Sequence, residues 1–266
     1  MRFSTFLTLA VSATAAAATP FLKATEFLNP KPPNLMADNV PEPKYFREAS
    51  LNGHCDYRFY KADIDEAEHQ EGLRLLVQTY LHVCNELKIQ TWLMHGSLLG
   101  WWWGKKIMPW DLDVDVQVTE SDMYYLAAYY NRTEFYYVQR GTGQGRTYLL
   151  DVNPHHVYRG RDDKLNVIDA RWIDTTNGLY IDITAARYDL DHEQGEGMLY
   201  DKHNHEYRDT YIFPLLETTF EGVTAKIPYK YKDMLISEYT VEGLTDKEYH
   251  GHVFDEEEMK WVKAGM

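Results

Sequence analysis

The sequence predicts an α+β (mixed α/β) fold, a mixed β-sheet flanked by helices. Three observations carry that prediction. Residues 63–88 repeat their apolar side chains at spacings of three and four, the mark of an amphipathic helix. A short strand candidate and a glycine break follow at once. A run of short segments then carries strand-like apolar patterning, so helices and strands mix along one chain.

The first helix is expected to start at Asp63, with Asp65 and Glu66 in the turn where negative charge is favourable. Its stripe is Leu73, Leu76, Val77, Tyr80, Leu81, Cys84 and Leu87, and it should pack on a sheet. Residues 91–94 read as a strand, broken by His95-Gly96-Ser97, with a second helix from Leu98 to Trp103. Residues 111–118 alternate acid or polar with apolar and read as a strand with one buried face. Residues 121–130 read as helix; 135–139, 148–152, 167–174 and 179–184 as strands; 189–208 mostly as loop; 229–239 as helix.

Before this domain the chain changes character. Met1-Arg2 and an apolar run ending in Ala15 to Ala18 suit a secretory signal peptide over residues 1–18. A short membrane anchor is the alternative, although the run is below the ~20 residues a span needs. Residues 19–47 hold six of the ten prolines and read as an extended stem, because proline blocks helix and ladder pairing. The domain is expected over 48–266, with no further membrane span, in the Golgi lumen or secreted. In an oxidising lumen Cys55 and Cys84 are expected to pair, with two buried free thiols as the alternative. Asn131-Arg132-Thr133 is a glycosylation acceptor if the signal reading holds.

The formal charge of −14 excludes a general electrostatic grip on nucleic acid or anionic membrane. A phosphate-bearing substrate therefore needs metal ions or a few placed cations. The sharpest motif is Pro109-Trp110-Asp111-Leu112-Asp113-Val114-Asp115-Val116. On a strand, Asp111, Asp113 and Asp115 share one face and the apolar residues between them face the core. Like charges at that spacing repel unless a cation lies among them, and Mg²⁺ or Mn²⁺ prefers carboxylate oxygens. Gly96 and Ser97 form a turn into a helix start, where backbone amides can hold a nucleotide's phosphates. Asp182, alone in the apolar run 179–184, is the expected third carboxylate, because a lone buried Asp is costly unless paired or metal-bound. Asp169 and Asp174 are its rivals. Lys105 and Lys106 are candidate phosphate contacts on the loop between the motifs. Arg171 either clamps a phosphate or pairs with an internal acid. His203 and His205 are weaker candidates for metal or acid–base roles, with no Cys or acid at ligand spacing.

The Gly-Ser turn followed by Asp-hydrophobic-Asp, with an acid on a later strand, is the pattern of the nucleotidyltransferase fold. His95-Gly96-Ser97-Leu98-Leu99-Gly100 with Pro109 to Asp115 resembles the LicD/fukutin family. The stretches 148–152, 168–174, 178–184, 200–203, 213–215 and 220–222 resemble the fungal mannosylphosphate-transfer branch more closely, and the similarity covers roughly residues 91–239. That resemblance implies metal-dependent transfer of a sugar phosphate from a nucleotide-diphosphate donor, GDP-mannose in the fungal branch, onto a glycan of a glycoprotein. It implies metal ligands at Asp113, Asp115 and Asp182, with Asp111 supporting them. Two other readings stay open: a D-x-D glycosyltransferase that moves sugar alone, and a lumenal regulator of mannosylphosphorylation that keeps the site without turnover.

Overall fold

A computed structural model of the chain describes residues 43–49, 54–139 and 143–265. The expected signal peptide and most of the expected stem lie outside the described residues. The stem's last part, 43–47, lies against the domain: Phe46 is buried, and the Tyr45 amide donates to Asn166 Oδ1 at 3.0 Å.

The first helix, α1, spans Glu66–Leu87. Its cap is Asp65, whose carboxylate accepts from the Glu68 amide at 2.8 Å. Asp63 does not cap; its carboxylate accepts from the Tyr60 hydroxyl. The predicted stripe is the buried one, with Leu73, Leu76, Val77, Tyr80, Leu81 and Cys84 all in the core. They face β5 (Ala170–Asp174) and β6 (Tyr180–Tyr188), where the Trp172 indole donates to Thr79 Oγ1. Each buried Leu or Val contributes about 1.5–3 kcal/mol relative to exposure.

The remaining strands of the main sheet are β1 (Thr91–Leu93), β2 (Asp115–Thr119), β3 (Thr133–Val138) and β4 (Gly145–Val152). Their order is β1-β2-β6-β5-β4-β3, and β6 also carries β7 (Met198–Tyr200), which pairs with β8 (Glu206–Arg208). Every pairing is antiparallel except β2 with β6, which run parallel at the centre. The β5–β6 turn needs Gly178: its φ is +87°, and a Cβ there would lie 2.9 Å from the Asp56 carbonyl oxygen.

Around this sheet lie α2 (His95–Gly104), α3 (Glu120–Tyr129), the short α4 (Asp209–Ile212), α5 (Tyr231–Tyr239) and α6 (Glu242–Thr245). A hairpin of β9 (Leu216–Phe220) and β10 (Val223–Ile227), and a three-stranded sheet of β11 (Glu248–Tyr249), β12 (His252–Asp255) and β13 (Lys260–Lys263), complete the domain. Trp103 is buried against Phe254 and Trp261, so the tryptophan run of α2 packs inward. The expected mixed α+β architecture is the one observed.

Two expectations need correction. The strand expected over 111–118 begins only at Asp115, and Leu112, expected in the core, is 45% exposed. Alternation in a sequence does not supply the ladder partners a strand requires, and β1 and β6 engage this segment only near Val114 and beyond. The segment read as loop, 189–208, contains β7 and β8, each too short to show a period.

The expected disulfide is also absent: Cys55 and Cys84 are both buried free thiols. Cys55 bridges to Leu179, whose side chain lies against Gly72 in the first half of α1. Cys84 is twelve residues further along that helix, roughly 18 Å at 1.5 Å per residue. A disulfide needs Cα atoms within about 7 Å. Burial pushes the Cys84 thiol up to about 12 and raises that of Cys55.

Candidate active site

The parallel pairing of β2 and β6 builds the centre of the site. It sets Asp115 opposite Asp182 in register, two carboxylates from distant parts of the chain on adjacent strands. Asp113 and Asp111 precede β2 in an irregular segment, not on the strand face. They still approach it. The Asp113 charge bears on Asp111, Asp115 and Asp182, and a Cβ at Gly96 would lie 3.3 Å from Asp111 Oδ2. Gly96 therefore lets the start of α2 close on the Asp111 carboxylate. Ser97 Oγ accepts from the Asp115 amide at 3.0 Å and ties that same turn to the first residue of β2.

The electrostatics are those of crowded acids. Asp111 is pushed up to about 7, first by burial and then by the charge of Asp113. Asp115 is also pushed up to about 7 by burial and Asp113, with Asp182 and Glu238 adding and His95 opposing. Asp182 is raised by burial, against the pull of Arg171.

Arg171 resolves its alternatives toward the internal acid. Its Nε donates to Asp182 Oδ1 at 2.7 Å, and its guanidinium lies 3.5 Å over the Tyr180 ring. A second link runs to Glu48 at 3.3 Å. Arg171 is buried and holds Asp182 through its Nε bond. The rivals for the third carboxylate are already satisfied. Asp169 receives both Arg187 and Lys202, and Asp174 receives Arg146. Lys105 does not join the site. It caps the far end of α2, exposed, about 12–14 Å along the helix from Gly96 and Ser97.

Hard oxygen donors that raise one another's proton affinity are what an Mg²⁺- or Mn²⁺-type cation relieves. Asp115 and Asp182 in register, with Asp113 beside them, fit such an ion.

A second cluster adjoins this one, and two of its members, His95 and Asp201, entered the sequence reading only as parts of motifs, with no ligand role. His95 opens α2 with φ +49°. Its Nδ1 lies 2.8 Å from Glu238 Oε1 on α5. The His95 ring is 4.5 Å from that of His205. His205 Nδ1 lies 2.8 Å from Asp201 Oδ2, which also accepts from Gln117 on β2. Burial alone would lower His95; the Glu238 hydrogen bond and charge, with Asp115 and Asp201, raise it. The only sequence signal was the His-rich stretch around 203–205, whose acid, Asp201, lies four residues before His205.

The sequence pattern of the LicD/FKTN/FKRP nucleotidyltransferase domain matches residues 88–230. Mannosyltransferase regulator 4 of Saccharomyces cerevisiae is 31% identical over 210 residues, covering 74% of this chain and 17% of that protein. Mannosyltransferase regulator 14 of the same yeast is 34% identical over 152 residues, covering 53% of this chain and 16% of that protein. The chain thus spans about one sixth of the length of the curated relatives it matches.

Proposed function

Because the chain belongs to the LicD/FKTN/FKRP nucleotidyltransferase-domain family, we propose that it transfers a sugar phosphate from a nucleotide-diphosphate sugar onto a glycan hydroxyl. The donor in this reading is GDP-mannose and the product a mannose phosphodiester on a glycoprotein glycan, made in the lumen of the secretory pathway. The observation that carries it is the in-register pair Asp115 and Asp182, with Asp113 and Asp111 crowded beside them.

Asp113, Asp115 and Asp182 would hold the cation, with Asp111 supporting. A bound Mg²⁺ or Mn²⁺ supplies charge neutralisation at the phosphoryl oxygens and acidifies the attacking hydroxyl. The chain's own residues do the rest. Arg171 holds Asp182 in place, and Ser97 fixes the start of β2. The first intrahelical amide bond of α2 runs from Leu98 to Met94, so the amides of Gly96 and Ser97 precede it and can receive a phosphate. The acceptor oxygen forms a bond to the phosphorus that bears mannose, and the bond from that phosphorus to the bridging oxygen breaks. GMP leaves, and the acceptor's proton passes to a carboxylate. Asp111, which supports the ligands and does not itself hold the cation in this reading, is the carboxylate placed to take it.

The names of the two yeast relatives favour a second reading, in which the domain regulates a mannosyltransferase without turnover. One assay separates the readings: the purified chain with GDP-mannose, Mn²⁺ and a mannose oligosaccharide, with the released nucleotide identified by mass spectrometry. GMP with a glycan gaining mannose phosphate is the expected result. GDP with a glycan gaining mannose alone would make the protein a glycosyltransferase. Donor binding without either product would support the regulator.

A further inference from the structure

The cluster of His95, Asp201 and His205 adjoins the carboxylates that the proposed reaction uses but shares no residue with them. Its chemistry differs from theirs. A ring nitrogen from each imidazole and an oxygen of Asp201 lie within 4.8 Å of one another. The two rings are held by different partners. The Nδ1 of His95 bonds Glu238, and the Nδ1 of His205 bonds Asp201, each at 2.8 Å. Among the described residues, the Nε2 of His95 makes no hydrogen bond. For His95, the Glu238 carboxylate that receives the Nδ1 proton turns Nε2 into the donor; for His205, whose Nδ1 already faces Asp201, the ion would replace that ring proton and lie between the nitrogen and the carboxylate. With the two rings 4.5 Å apart, the two imidazoles and Asp201 bring three donor atoms together in one compact cluster.

The scaffold around them is rigid. His95 is kept at φ +49°, a costly conformation for a side-chain-bearing residue, by the turn that also carries Gly96 and Ser97. Asp201 is fully buried and accepts from the His203 and His205 amides and from Gln117. The His205 side chain is 41% exposed, so an ion can enter. It enters from an open groove of about 580 Å³ between β8 and α5, lined by His205, Tyr207, Tyr211 and Glu238.

We propose that His95, Asp201 and His205 form a second metal site, selective for a borderline divalent cation of the zinc class. Two nitrogens and one oxygen suit zinc, whereas the all-oxygen carboxylate set suits Mg²⁺ or Mn²⁺. Three protein donors leave a fourth position facing the groove for water or a substrate oxygen. The ion joins three elements that are far apart in sequence: the start of α2, the β7–β8 connection and, through Glu238, α5. It thereby braces the wall beside the carboxylates.

The test is a titration of the whole purified chain, freed of metal by chelation, with Co²⁺ as the optical probe and Zn²⁺ as competitor. The expected result is an intense cobalt d–d absorption that one equivalent of Zn²⁺ abolishes. His205→Gln, at a half-exposed ring, weakens Co²⁺ binding at least tenfold while circular dichroism reports an unchanged fold. Glu238→Gln, which frees the His95 ring, weakens it by roughly tenfold, the usual effect of losing a residue behind a ligand. Asp115→Asn leaves the signal in place. Absence of a zinc-displaceable band overturns the proposal. So does a band that survives His205→Gln and disappears in Asp115→Asn, which would locate the ion among the carboxylates.

Discussion

Replacing Asp115 with Asn should make the metal-free protein more stable while removing its chemistry. The substitution keeps the side chain's shape and leaves the backbone amide free to donate to Ser97 Oγ. What it removes is a charge that burial, Asp113, Asp182 and Glu238 all oppose and only His95 supports. The Asp115 carboxyl sits near 7 instead of 3.8, a gap of about three units at about 1.4 kcal/mol each, or up to ~4 kcal/mol. Relaxation of the site brings the working figure to about 2–4 kcal/mol.

The sign follows from proton binding. Between the unfolded and folded values the folded state binds more protons, so stability falls as pH rises across that window, and the full penalty is present above about 7. The advantage of the Asn variant should therefore be largest at pH 8 and shrink by more than half at pH 5. Urea unfolding of both proteins in chelator, at the two pH values, measures it. Thermal unfolding at pH 8 should show a gain of roughly 5–15 °C. Added Mn²⁺ should stabilise the natural protein and not the variant, closing or reversing the gap. A variant no more stable than the natural protein at pH 8, or a gain that ignores pH, would refute the account of crowded acids.

Two further substitutions test the frame around the site. Asp169→Asn leaves Arg187 and Lys202 buried against a neutral group, so denaturant unfolding should show a loss of about 3–5 kcal/mol. A loss below about 1 kcal/mol would mean that water or rearrangement satisfies both cations. Gly100→Ala would gain about 1 kcal/mol from helix propensity. Its Cβ, however, would lie 2.5 Å from the Lys106 carbonyl oxygen, a backbone atom with little room to move. Overpacking of about 1–3 kcal/mol should win, and an unchanged or higher melting temperature would show that the segment after α2 yields.

The parts of this fold that could be read in advance are those where a local pattern coincides with burial. The α1 stripe is one, because its apolar spacing is the face that meets β5 and β6. Asp182 is another, since one acid in an apolar strand demands a partner wherever the strand goes. What pairs with which acid was not legible. Asp169, Asp174 and Asp182 look alike in sequence, and only the fold gives Arg187 and Lys202 to the first, Arg146 to the second, and Arg171 with Asp115 alongside to the third. Lys105 shows the converse error: nearness to a motif along the chain became distance in space once a helix intervened. The imidazole cluster escaped because His95 and His205 lie far apart in sequence, and β7 and β8 are too short to announce that the chain turns back.

Asp115 and Asp182 meet only because β2 and β6 run parallel, and everything from α3 through β5 lies between them along the chain. A nascent chain that has made β2 therefore carries Asp111, Asp113 and Asp115 without a finished binding site. Closing that long interval is a slow, non-local event in folding. If the carboxylates hold a cation as proposed, binding it would double as a checkpoint: only a molecule whose β2–β6 pair has zipped in the right register could retain the ion, because a slip by one residue would turn Asp182 to the opposite side of the sheet.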